Sequence, residues 1–105
     1  MNVAQIDHWL ADAERLDFHL RPIVGATVSV FVLELGPSCW RVAWSTAAAG
    51  HYERAVQQPH AMAWPNRYNA VLSGLQGARA HWKQVGVPQL VAAVNRVIES
   101  LEESE

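Results

Sequence analysis

The sequence predicts an α+β fold with two layers, in which an antiparallel three-stranded sheet is packed by helices in the order α-β-β-β-α-α. Three observations predict it. Apolar residues recur at helical spacing near both ends of the chain, β-branched and aromatic residues concentrate in its middle, and glycine or proline separates the segments. A chain of 105 residues has the length of one domain, so we expect a single domain over 1–105.

The first predicted element is an amphipathic helix over about 3–16. Asn2 is a residue type that caps helices, and Gln5 follows it at the spacing of a capping box. Ile6, Trp9 and Leu16 then fall on one side of the helix. We therefore expect Trp9 to anchor this helix in the core.

The run 26–35 predicts a central strand. Its residues are mostly β-branched or aromatic, and Gly36 and Pro37 mark a turn after it. Val28 and Phe31 represent its two alternating faces, and both faces are apolar. A strand that needs cover on both faces lies inside a sheet.

The run 39–46 predicts the hairpin partner of that strand. Trp40 and Trp44 alternate with Arg41, so we expect the indoles to face the core and Arg41 to face water. A weaker, edge-like strand over 51–57 and a loop over 58–65 with two prolines complete the middle of the chain.

Two helices are predicted after the loop. Asn66 is suited to cap the first one, and Gly86 is suited to end it in a left-handed conformation. Pro88 then lies in the first turn of the second helix. One side of the first helix carries apolar residues and a single cation, in the series Tyr68, Val71, Leu72, Leu75, Arg79, Trp82 and Val85. The acidic segment 99–105 opposes the helix dipole, so we expect it to fray.

An alternative α/β arrangement comes from a resemblance. Roughly residues 26–102 resemble the first part of the ribonuclease H-like fold. The resemblance lies in three strands followed by Asn66-Arg67-Tyr68-Asn69, a helix, Gly86-Val87 and the segment Leu90-Val91-Ala92-Ala93-Val94-Asn95. The resemblance implies that the last segment is a fourth strand. Glu34, Asn69 and Asn95 then occupy the positions of the family's metal-binding acids. Two of them are amides, so it implies a catalytically degenerate nucleic-acid binder.

The charge balance does not favour nucleic acid as a partner. The chain carries eight Lys and Arg against ten acids, a formal net charge of −2, without a concentrated basic patch. Its single cysteine, Cys39, excludes an internal disulfide, and no export or membrane-spanning signal is present, which indicates a cytoplasmic protein. The bias toward Arg and Ala is typical of a GC-rich bacterial coding sequence.

The sequence gives no catalytic motif, so we expect no enzymatic activity, no metal and no cofactor. The histidines lack the spacing of metal ligands, and Cys39 has no recognisable base beside it. The five histidines are His8, His19, His51, His60 and His81.

Trp64 is the tryptophan outside every apolar stripe, and it marks the candidate binding site. The loop around it supplies His60 and Met62, and Tyr68 follows in the next helix. Such a cluster is either an interface anchor or a lid packed over the end of the sheet. An alternative pocket is lined by Trp40, Trp44 and Tyr68.

Three functions follow from these features. The first is a small interaction or regulatory module that forms a homodimer, because unpaired strand edges and a high apolar content favour self-association. The second is a small-ligand pocket or an enzyme at Trp40, Trp44 and Tyr68. The third is the degenerate nucleic-acid binder.

Overall fold

A computed structural model describes residues 11–21, 23, 25–48, 51–56 and 64–104, with residues 51–56 described by their backbone. Four strands precede two helices: β1 (Glu14–His19), β2 (Thr27–Gly36), β3 (Cys39–Ala48), β4 (His51–Val56), α1 (Arg67–Val85) and α2 (Pro88–Ser104). The strands form one antiparallel sheet in the order β1-β2-β3-β4. α1 packs on β2 and β3, and α2 packs against α1. The α+β class and the antiparallel sheet packed by helices are therefore confirmed.

The end of the predicted first helix is wrong, because residues 14–16 belong to β1. Leu16 and Phe18 alternate with Arg15 and Asp17, and the two apolar side chains pack against the core. Leu16 fits both a helical and an alternating period, so the sequence pattern alone was ambiguous there. The sheet has four strands rather than three as a result. Residues 1–10, including Trp9, lie outside the described residues.

β2 lies inside the sheet, as predicted. It pairs with β1 on one side and with β3 on the other. Val28, Val30 and Val32 face α1 and are essentially inaccessible to solvent. Val30 lies opposite Trp44 of β3, which places the indole on the same face. The prediction that this face of β3 points toward the helices is confirmed.

The opposite face of β3 is less exposed than predicted. Arg41 is half-buried, Ala43 has an exposed fraction of 0% and Ser45 of 6%. Ala43 lies directly opposite Phe31 of β2. This face of β3 is therefore largely screened from solvent at Ala43 and Ser45.

α1 begins and ends at the predicted caps. The Asn66 side chain accepts a hydrogen bond from the Asn69 backbone N–H at 2.8 Å. Gly86 adopts a φ of 89°, which suits a residue without a Cβ, and donates to the Trp82 carbonyl. The Val87 N–H bonds the same carbonyl at 3.1 Å. These bonds satisfy backbone groups that a helix end otherwise leaves unpaired.

Two glycines of α1 let it approach the sheet closely. A Cβ at Gly74 would lie 2.7 Å from Val30 Cγ1, closer than a real contact allows. A Cβ at Gly77 would overlap the Trp44 indole. Trp82, further along the helix, is buried to an exposed fraction of 2% and is the largest fully enclosed side chain among the described residues.

α2 is one continuous helix, so the ribonuclease H-like alternative is wrong. Residues 90–95, which that fold would use as a strand, are helical, and Leu90, Val94 and Ile98 are buried at helical spacing. Asn95, one of the proposed metal positions, instead accepts a hydrogen bond from Arg79. The acidic segment 99–105 is helical as far as Ser104. Neither described helix is long and apolar enough to cross a membrane.

Candidate functional site

The structure places Trp64 beside the start of β3. Its backbone exchanges two hydrogen bonds with Trp40, at 2.9 and 3.0 Å, and so extends the sheet by one bridge. Both indoles are half-buried and pack against the hydrophobic core. This packing favours the lid interpretation of Trp64. His60 and Met62, the other loop members of the predicted cluster, lie outside the described residues.

Trp44 lies between the sheet and α1. Its ring contacts Gly77, and its centroid lies 5.9 Å from that of His81 in a tilted arrangement. Tyr68 precedes Gly77 by about two and a half helical turns, so it points to the opposite side of α1. The structure therefore brings Trp40 and Trp64 together but does not place Tyr68 beside Trp44.

A second candidate surface is the face of the sheet turned away from α1, which we call the open face. Among the described residues no helix packs on it. Phe31 and Leu33 of β2 are half-buried there. Its polar members are Arg15, Asp17 and His19 of β1, Thr27 and Ser29 of β2, and Arg41 and Ser45 of β3. A concavity of ≈ 470 Å³ on this face is lined by residues of β1, β2 and β3.

Asp17 is the centre of a hydrogen-bond network on the open face. Its Oδ1 accepts from the Ser29 hydroxyl at 2.5 Å and from Arg15 Nε at 3.0 Å. The Ser29 hydrogen bond, followed by that of Arg15, lowers the pKa of Asp17. The Arg15 guanidinium also lies 5.7 Å from the Phe31 ring centroid, at cation–π distance. One strand therefore presents a cation and an anion on the same face.

A second ion pair fixes β1 to the helical layer. Two nitrogens of Arg67, in the first turn of α1, donate to the two carboxylate oxygens of Glu14 at 2.8 and 2.5 Å. The hydrogen bond from Arg67 lowers the pKa of Glu14. A two-pronged contact of this kind constrains direction as well as distance. It holds the start of β1 against α1.

The lowered pKa values of Asp17 and Glu14 predict that the protein loses stability in acid. Because folding lowers both pKa values, the stabilisation is complete above the ordinary values of 3.8 and 4.5 and disappears as the pH falls below them. Both side chains are more than a third exposed, so each contributes about 0.2–1 kcal/mol. We expect urea unfolding to show less loss between pH 7 and pH 3 for a Glu14→Gln/Asp17→Asn variant than for the wild type. An equal loss in both proteins would contradict the assignment.

Sequence reasoning missed the open face because it assigned the start of β1 to a helix. The available signal was the alternation of Leu16 and Phe18 with Arg15 and Asp17. The open face offers hydrogen bonds, charge and one aromatic ring.

In the part of the chain that the structure describes, no three His, Cys, Asp or Glu side chains are grouped to hold a metal ion.

The open face combines charged, polar and apolar side chains. Two charges of opposite sign, buried serines and a half-buried phenylalanine lie on a rigid sheet that a helix supports from behind. No protein-family model matches the chain, and no curated protein or solved structure is significantly similar to it.

Proposed function

We propose that this protein is a non-catalytic interaction module that self-associates through the open face. The observation that carries the proposal is that, among the described residues, helices pack on one face of the sheet only. α1 covers the valine face of β2, while Phe31 and Leu33 lie on the face that no described helix covers. Half-buried apolar side chains with a polar rim are typical of protein interfaces.

The charges of the open face suit a second copy of the same chain. A two-fold interface brings the same patch of both copies together, so it must be complementary to itself. Arg15 and Asp17 have opposite charges, lie two residues apart and point to the same side of an edge strand. In a two-fold pair, Arg15 of each copy can face Asp17 of the other. A face with only one sign of charge would repel its own copy.

The size of the face supports a weak rather than an obligate dimer. All four strands lie side by side, about 4.8 Å apart, over roughly six residues, and this overlap presents roughly 400 Å² on each copy. Pairing then buries about 800–1,000 Å² in total, near the lower limit for a specific interface. We therefore expect dimerisation in the micromolar range, where monomer and dimer coexist.

Light scattering after gel filtration tests this expectation. The wild type should give a mass that rises with concentration from 11.7 kDa toward twice that value. Phe31→Glu places a charge in the middle of the open face and should hold the protein monomeric at every concentration. Val85→Glu is the matched control, because Val85 is 49% exposed but lies on α1, and it should leave dimerisation unchanged.

A charge exchange tests the two-fold arrangement itself. Arg15→Asp and Asp17→Arg should each weaken dimerisation, because each leaves charges of only one sign at these two positions of the edge strand. The double exchange should restore dimerisation.

Trp64→Ala should lower stability and leave association per folded molecule intact, since Trp64 packs on the other side of the sheet. A monomeric wild type at millimolar concentration would overturn the proposal. A folded, monomeric Trp64→Ala variant would show that the interface lies around Trp64 and Trp40 instead of on the open face.

A further inference from the structure

The groove between α1 and α2 is a second concave surface, on the helical layer. It has a volume of ≈ 510 Å³, within the range of small-molecule sites. Arg79 and Lys83 of α1 line one wall, and Val91 and Asn95 of α2 line the other, with Val87 and Pro88 between the helices. None of the groove-lining residues, all of which are described, is acidic.

Arg79 is held in place by a neutral partner. It lies half-buried on the side of α1 that faces α2, where its neighbours in the helical stripe are apolar. Its Nη1 donates to Asn95 Oδ1 at 2.8 Å. An amide oxygen orients a guanidinium without neutralising it, and no carboxylate of a described residue forms an ion pair with Arg79. A partly desolvated cation of fixed orientation is the usual anchor for an anion.

Two further donors point to the same ligand chemistry. Lys83 follows Arg79 by one helical turn, so both cations project from one side of α1 into the groove. Because Asn95 accepts through its oxygen, its amide N–H₂ group remains a donor beside the guanidinium. Valine and proline supply an apolar wall next to these donors. A ligand with an anionic head group and an apolar body would match both the donors and the apolar wall of the groove.

We propose that the groove binds a small organic acid, with its carboxylate on Arg79 and Lys83 and its short apolar body against Val87, Pro88 and Val91. The planar fork of Arg79 matches the two oxygens of a carboxylate. Inorganic phosphate would satisfy the cations but leave the apolar wall unfilled. The site lies on the helices, so it is independent of self-association through the open face.

Hexanoate is a suitable probe, and hexanamide is its neutral counterpart. Titration followed by amide chemical shifts should show saturable hexanoate binding, with the largest shifts at residues 79–95. Hexanamide and inorganic phosphate should each bind at least tenfold more weakly. Lys83→Met and Arg79→Met should each weaken hexanoate binding about tenfold or more. Both variants replace a cation by an unbranched apolar residue that keeps helix propensity, so both should fold.

Arg96→Met is the matched control. Arg96 is an exposed cation of α2. It lies outside the groove and lines a separate concavity together with Arg21 and Phe18. Its removal should change hexanoate affinity less than twofold. Equal weakening by Arg96→Met would reduce the effect to overall charge and overturn the proposal. Saturable binding of an acidic peptide without binding of hexanoate would also overturn it and assign the groove to a protein partner.

Discussion

Trp82→Ala should cost about 3–5 kcal/mol and lower the melting temperature by roughly 15–30 °C. Trp82 is 2% exposed and belongs to a core that both helices and the sheet share. Its removal leaves a cavity that the surrounding valines and leucines cannot fill without moving the helices. A domain of this size has a total stability of about 5–15 kcal/mol, so the variant should be close to unfolding at 37 °C.

Urea and thermal unfolding followed by circular dichroism measure this loss. Trp82→Phe keeps most of the ring volume and should cost about half as much. Val85→Ala, one turn further along the same helix at a position 49% exposed, should cost less than about 1 kcal/mol. A Trp82→Ala variant as stable as Val85→Ala would show that the core is not centred on this residue.

Gly74→Val should destabilise the protein by about 2–3 kcal/mol, because it forces α1 away from the sheet. A Cβ at this position would lie 2.7 Å from Val30 Cγ1 and 3.3 Å from Val42 Cγ2, and both valines are buried. Removing volume from the sheet side should restore part of the stability. The double variant Gly74→Val/Val30→Ala should therefore be more stable than the sum of the single changes predicts.

Gln76→Val serves as the control for Gly74→Val. Gln76 is exposed on the same helix, so this substitution tests a β-branched residue in α1 without a steric conflict. It should change the free energy of unfolding by less than about 0.5 kcal/mol. A cost at Gly74 no larger than at Gln76 would mean that the helix and sheet can separate freely at this contact.

Local signals predicted the helical part of the fold. Asn66 and Gly86 have side-chain chemistry and backbone freedom that suit the ends of a helix, and the structure uses both in those roles. The apolar residues on both faces of β2 also predicted a central strand. These features depend on a few neighbouring residues, so the sequence pattern alone specifies them.

The candidate sites depend on contacts between distant residues, which one sequence does not show. Arg79 was an isolated polar residue in an apolar stripe until the structure placed it beside Asn95, sixteen residues later. To predict the open face, one must know on which side of the sheet α1 packs. Glu14 and Arg67 are separated by 53 residues, and no spacing rule joins them. Trp64 was outside every periodic stripe because it lies before α1, where a single backbone bridge joins it to Trp40 while its indole packs against the core.

The agreement between strand order and chain order has a consequence for synthesis in the cell. Each strand pairs with the one made just before it, so the sheet can assemble as successive hairpins while the ribosome is still adding residues. α1, which covers Val28, Val30 and Val32, and α2, which packs against α1, follow the sheet along the chain. The nascent sheet therefore exposes an apolar valine face until residues 67–104 have been made. During that interval the exposed valines favour aggregation of the unfinished chain.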